Sequence, residues 1–174
     1  MRKAPERRWR RARDGIREAV EADGYDSKRG IFVQAFGEST LDAALLRLPT
    51  VDFIAYDDER MIRTTDAIRH QLDWNGLIRR YDADDGLPGK EGAFVACGFW
   101  LAEVLARQGR VIEAREAYDR SMTTANELGL FSEEHDPEAK LMLGNFPQAL
   151  SHLSHLEAAI ALADADDAGR GDDG

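Results

Sequence analysis

The chain is short of the features that usually assign a protein quickly. It has one cysteine, Cys97, so no intrachain disulfide can form and a disulfide-stapled scaffold is excluded. Cys97 sits inside an apolar run and reads as a small core residue. Long apolar stretches are missing too, because Gly98 and Glu103 interrupt the best candidate around Phe94 to Ala106. Positive charge is in deficit: 23 basic against 33 acidic residues leave a net charge of -10, which repels phosphate backbones and anionic membrane surfaces alike. Neither nucleic acid nor a membrane is an expected partner, and a cytoplasmic location is expected.

One segment departs from this acidity. Arg2, Lys3, Arg7, Arg8, Arg10, Arg11 and Arg13 crowd the start of the chain, as they would in a nucleic-acid arm or a targeting peptide. Glu6 and Asp14 break the run, however, no apolar segment of signal type follows, and Trp9, Ala12, Ile16 and Val20 recur at helical spacing. The arginines therefore read as the solvated face of a helix. At the other end Asp164 to Gly174 is mostly Asp, Gly and Ala, and is expected as a disordered acidic tail after a single domain over 1–163.

What the chain does have is helical periodicity in six segments of alternating character. Pro5 to Ala22, Asp57 to Leu72 and Val111 to Leu128 are amphipathic, as outer helices would be. Leu41 to Leu48, Ala93 to Gln108 and Pro147 to Leu162 are apolar nearly all round, as inner helices would be. Each outer segment reaches its inner partner through a long loop, and each inner segment returns by a shorter one. Antiparallel helices then put all three long loops at one end, where function is expected. Gly30-Ile31-Phe32, Gly76-Leu77-Ile78 and Gly129-Leu130-Phe131 open these loops alike, a repeat of roughly 50 residues built on one helical hairpin. Tetratricopeptide-like binding solenoids, with units of about 34 residues, fit that length less well.

The chemistry-bearing segments lie in these loops. Ser132-Glu133-Glu134-His135-Asp136-Pro137 is followed by Gly144-Asn145-Phe146-Pro147-Gln148-Ala149-Leu150-Ser151-His152. It is a carboxylate pair at the mouth of an apolar helix, where burial and neighbouring charge tune a general base. A second block runs from Asp85-Gly86-Leu87-Pro88-Gly89-Lys90-Glu91-Gly92-Ala93-Phe94 to Cys97, Phe99, Trp100 and Leu101. Gly37 with Leu41, Asp42 and Leu45 forms a third.

These three ordered blocks resemble those of glycoside hydrolase family 15, the glucoamylase and trehalase-like family, over about Glu6 to Ala163. The resemblance implies an all-α fold of αα hairpins, three of the six in an (α/α)6 toroid, acting on an α-glucoside carbohydrate with inversion. It implies Glu133 as the catalytic base and Arg80 as a sugar-binding residue, whose fork of donors suits a vicinal diol. Arg80 otherwise reads as a surface partner of Asp82 or Asp84. Asp42, Glu91 and Glu134 are expected to line the substrate site, although Asp42 and Glu91 also suit helix caps. Phe94 is expected either to wall the sugar pocket or to join the core.

The chain departs from the family in one respect that matters to chemistry. Inversion needs an acid as well as a base, about 6.5–9.5 Å apart. The family's acid lies in a Trp-Glu motif, whereas Trp9, Trp74 and Trp100 are followed by Arg10, Asn75 and Leu101. The chain is therefore expected to supply a base without its acid and to be inactive alone. Its expected partners are the missing N-terminal half or a second copy; a non-catalytic helical interaction module is the alternative. No cofactor or metal is expected. Asp82, Asp84 and Asp85 suggest a calcium loop, but Gly86 occupies a ligand position and Ala93 the place of the closing Glu. His152 and His155, one helical turn apart, have no third ligand at metal-site spacing.

Overall fold

A computed structural model describes residues 5–82 and 91–171. Arg2 and Lys3, Asp84 and Asp85, the Gly86–Lys90 part of the second motif, and residues 172–174 lie outside the described residues.

Five α-helices carry the fold: α1 (Glu6–Asp23), α2 (Glu59–Gln71), α3 (Val95–Arg107), α4 (Val111–Met122) and α5 (Ala149–Gly171). Short antiparallel strands occupy the long loops. They are β1 (Tyr25–Asp26) with β2 (Ile31–Phe32), β3 (Asp73–Trp74) with β4 (Leu77–Ile78), and a three-stranded sheet of β5 (Ala93–Phe94), β6 (Glu134–Asp136) and β7 (Leu141–Leu143), in that order.

The apolar α3 is the centre of the molecule. All but two of its residues, Trp100 and Arg107, are buried, and α4 and α5 pack on it from either side. Phe99 of α3 stacks edge-on against Tyr118 of α4 and Phe131, with ring centroids 5.7 and 5.2 Å away, and lies 5.3 Å from His155 of α5. Glu103, only 4% exposed, is neutralised by Arg47 at 2.8 Å and Arg107 at 3.1 Å. That arrangement meets the need of a buried carboxylate for paired charge. The aromatic and aliphatic burial supplies the bulk of the driving force.

The repeat seen in the sequence is repeated in the backbone. After α1 and after α2 a short hairpin of two-residue strands forms, Tyr25 opposite Phe32 across a four-residue turn and Asp73 opposite Ile78 across a two-residue one. Gly30, Gly76 and Gly129 all have left-handed φ, at 72, 86 and 74°, a conformation that side chains with a Cβ rarely adopt. Thr64 of α2 then accepts the Phe32 amide at 3.0 Å, fastening the first hairpin to the next outer helix.

Three expectations change. The second segment, the first of the inner ones, is not an α-helix but two 3-10 stretches, Ala43–Arg47 and Pro49–Val51. Asp42 is committed to an extended bridge with Tyr81, Ala43 donates its amide to the Arg80 carbonyl at 2.7 Å, and Pro49 cuts the run from the other side. Too few residues remain for an i→i−4 ladder. The fifth segment stops at Met122 instead of Leu128, because Thr123 and Thr124 bond back to the carbonyls of Arg120 and Ser121, and the Asn126 side chain accepts the Leu128 and Leu130 amides. The sixth continues through the expected disordered tail as far as Gly171. Alanines favour the helix there, and Asp166 is anchored by an ion pair to Arg115 of α4.

Candidate active site

The three segments that precede the inner helices are joined in series. Asp42 heads the first. Its side chain caps Ala44 at 2.7 Å, and its other oxygen faces Arg80 Nε at 3.5 Å. Asp42 is 8% exposed, whereas the Arg80 side chain is 52% exposed, so the anion is buried and the guanidinium reaches outward. Arg80 also lies over the Tyr81 ring, 5.8 Å from its centroid. It is therefore Asp42, not Asp82, that faces Arg80; Asp82 pairs with Arg79 at 2.9 Å. Tyr81 bridges to Asp42 through the backbone, and its hydroxyl donates to Glu91 at 3.3 Å. Just below, burial, aided by the Asp42 carboxylate, pushes the Cys97 thiol well above its usual pKa.

Glu91 leads into β5, where Gly92 donates its amide to the Glu134 carboxylate at 2.9 Å and Phe94 stands opposite Glu134 in the ladder. Phe94 is half-buried and packs on the main core beside Trp100, 6.4 Å away, so both of its expected roles remain compatible with its place.

Glu133 is held from three directions. Its amide donates to the Asn145 carbonyl at 2.9 Å and its carbonyl accepts from Val95, the first residue of α3, at 3.0 Å. One carboxylate oxygen, Oε2, accepts the Asn145 amide at 3.0 Å. Oε1 makes no hydrogen bond among the described residues. Successive residues of an extended chain point to opposite sides, so Glu133 turns toward Gly144 and Asn145 while Glu134 turns toward Gly92. Gly144 is what lets the carboxylate in: a Cβ there would stand 2.8 Å from Glu133 Oε2, and its φ is +70°.

Beneath this segment lies an aromatic floor. Phe131 is 1% exposed and contacts Phe99, His152 and His155, with centroids 5.1–5.5 Å apart. His152 accepts the Phe131 amide at 3.2 Å, Ser151 donates to the Ser132 carbonyl at 2.8 Å, and His155 meets the Tyr118 hydroxyl at 2.8 Å. Both histidines thus have protein partners, and burial lowers the His155 pKa. The structure adds Tyr81, Asn145 and Gly144 to the residues read from sequence. Asn145 and Gly144 belong to the motif that contains Glu133, but only their position against its carboxylate reveals what they do.

The model of the family described as Glycosyl hydrolases family 15 matches residues 2–160. The trehalase of Thermoplasma volcanium is 43% identical over 163 residues, which is 93% of this chain but 26% of the relative. That of Mycobacterium tuberculosis is 39% identical over 162 residues, 91% of this chain and 24% of the relative. The chain thus spans about a quarter of the length of the curated relatives it matches. A solved wild-type glycosidase superposes with a TM-score of 0.79 over 93% of this chain and 46% of its own, at 24% identity, and a variant glycosidase in complex with glucose does so equally well. At that identity the likeness is one of fold, that of a partial αα toroid. With the match to the family model extending from the first helix into the last, this chain belongs to glycoside hydrolase family 15.

Proposed function

We propose that this chain supplies the general-base half of an inverting α-glucoside hydrolase, with Glu133 as the base and trehalose as the first substrate to test. The observation that carries this reading is the state of the Glu133 carboxylate: Oε2 is fixed by the Asn145 amide while Oε1 has no partner among the described residues. A carboxylate so oriented can take a proton from a water as that water attacks the anomeric carbon. The glycosidic oxygen then leaves with the bonding electron pair and needs a proton of its own. The chain contains no Trp-Glu pair to provide it, so the acid comes from outside these residues, in a missing N-terminal half. Arg80, steadied by Asp42, and Glu91, tied to Tyr81, line the glucosyl subsite, with Glu134 and Phe94 forming its wall.

Without acid assistance, itself worth about 10² to 10⁴ fold, and without half of the subsite, the isolated chain gives no measurable glucose from trehalose, maltose or soluble starch. Fusion to the N-terminal half of a trehalase relative restores release, with inversion at the anomeric carbon. In that fusion Glu133→Gln abolishes turnover while substrate binding persists, and Glu134→Gln is milder. Strong activity from the chain alone, or a fused Glu133→Gln enzyme with normal turnover, overturns the assignment.

A further inference from the structure

The two histidines of the closing motif have separate tasks, and one of them bears on Glu133. Gln148, Ser151, His152 and His155 stand at i, i+3, i+4 and i+7, so they share one face at the start of α5. His155 turns to the outer helix α4 and meets the Tyr118 hydroxyl. The other three turn to the segment that leads into the base. Gln148 donates its amide to the Phe131 carbonyl at 2.9 Å, Ser151 donates its hydroxyl to the Ser132 carbonyl at 2.8 Å, and His152 Nε2 accepts the Phe131 amide at 3.2 Å.

These are the last anchors before Glu133, whose own amide and carbonyl go to Asn145 and Val95. His152 differs from the other anchors in what its loss would leave behind. The Phe131 amide has no other acceptor among the described residues, and Phe131 is only 1% exposed, so water is a poor substitute. Without the ring nitrogen that donor stays unsatisfied, and the segment relieves the cost by moving. Glu133 lies two residues further on, and its Oε2 is held at 3.0 Å by a single amide, that of Asn145. A shift of the backbone at Phe131 is therefore passed to the carboxylate.

We infer that His152 is a positioning residue for Glu133: it holds the base in place through the Phe131 amide, and it does so as the neutral imidazole that keeps its proton on Nδ1. A ring nitrogen that accepts an N–H carries no proton, so the neutral ring must hold its one proton on the other nitrogen. The doubly protonated ring would set one donor against another. The catalytic effect rests on the assignment of Glu133 as base, whereas the tautomer rests on the fold alone.

Two measurements test this. In the isolated chain at about pH 8, above the ordinary histidine range, long-range nitrogen–proton NMR correlation should show His152 protonated at Nδ1 and bare at Nε2. In the fusion to the N-terminal half of a trehalase relative, His152→Phe keeps a flat ring but offers no acceptor. It should lower kcat for trehalose by about 10 to 100 fold, the loss that a misplacement of about 1 Å brings, and leave KM little changed because Arg80 and Glu91 belong to another loop. His152→Gln sets an amide oxygen where Nε2 stands and should recover most of that kcat. His152→Asn, whose oxygen falls at the place of Nδ1, should not; circular dichroism checks that each variant folds. A ring protonated at Nε2, a folded His152→Phe fusion with native kcat, or a Gln variant no better than Asn overturns the inference. Normal turnover in the fused Glu133→Gln enzyme overturns the base assignment and the inference with it. Loss of turnover there, beside an unaffected His152→Phe, overturns the inference alone.

Discussion

Replacing Gly144 by Ala probes the packing of the Glu133 carboxylate without touching Glu133 itself. Two costs are expected. The first is conformational, about 1 kcal/mol for a side chain at a left-handed φ of +70°. The second is specific. The new Cβ would lie 2.8 Å from Glu133 Oε2 and 3.0 Å from its Cβ, so the carboxylate must swing away and give up the Asn145 amide. Losing that partly exposed hydrogen bond costs about a further 1 kcal/mol. Gly129→Ala is the control, since Gly129 has a φ of +74° but a Cβ placed there would meet nothing within 4 Å. Thermal melts at fixed protein concentration should therefore place Gly144→Ala below Gly129→Ala by roughly 2–4 °C, the shift that about 1 kcal/mol produces in a chain of this size. In a Glu133→Ala background the excess should shrink, because the oxygen contact and its hydrogen bond are already gone. Equal costs for the two glycines, or an excess indifferent to Glu133, would refute the reasoning.

The core supplies two further expected outcomes. Burial lowers the pKa of both His135 and His155 from 6.5, so the unfolded chain binds protons there that the folded chain does not. Stability should be level between about pH 7 and 8, short of the range in which the unfolded Cys97 thiol would ionise, and fall as pH drops below 6.5, and urea midpoints at about pH 7.5 and 5.5 measure this. Glu113, held down to about 2 chiefly by its hydrogen bond from Arg110, loses its contribution only as pH falls below 4.5, outside that window. His155→Phe should flatten the slope; a flat native profile contradicts the assignment. Phe99→Ala opens a cavity among Tyr118, Phe131 and His155 and should cost about 3–5 kcal/mol by chemical denaturation. It should also speed amide exchange at Glu133, whose segment rests on Phe131.

The parts of the fold that the sequence displayed were those with strong periodicity. Helix α3 is apolar on every side because it is covered on every side, and Cys97 lies in it fully buried. The inner segment at Leu41–Leu48 misled because its apolar content arises from burial, while its backbone is set by a remote partner: the bridge from Asp42 to Tyr81 spans nearly forty residues and leaves no local signal. The tail misled for the converse reason. Its composition offers little to bury, yet Arg115, far away in sequence, pins Asp166 in helical form. In the candidate site the motif residues were visible, but their pairing was not. That Arg80 faces Asp42, rather than a nearby aspartate, depends on how two loops meet.

The left-handed glycines at 30, 76 and 129 bear on how such a protein can diversify. They mark the same corner in three successive units, yet the chain around the corner differs: two units close a short hairpin of two-residue strands, with turns of four and two residues, while the third feeds a longer strand pair that reaches across to β5. Each unit can thus accept new chain after its corner without altering the helices that stack behind it. Insertions, deletions and strand extensions at these corners would remodel what the rim recognises while leaving the stacking of units untouched. A lineage can in this way change ligand preference through loop length alone, at positions where the backbone has already turned away from the core.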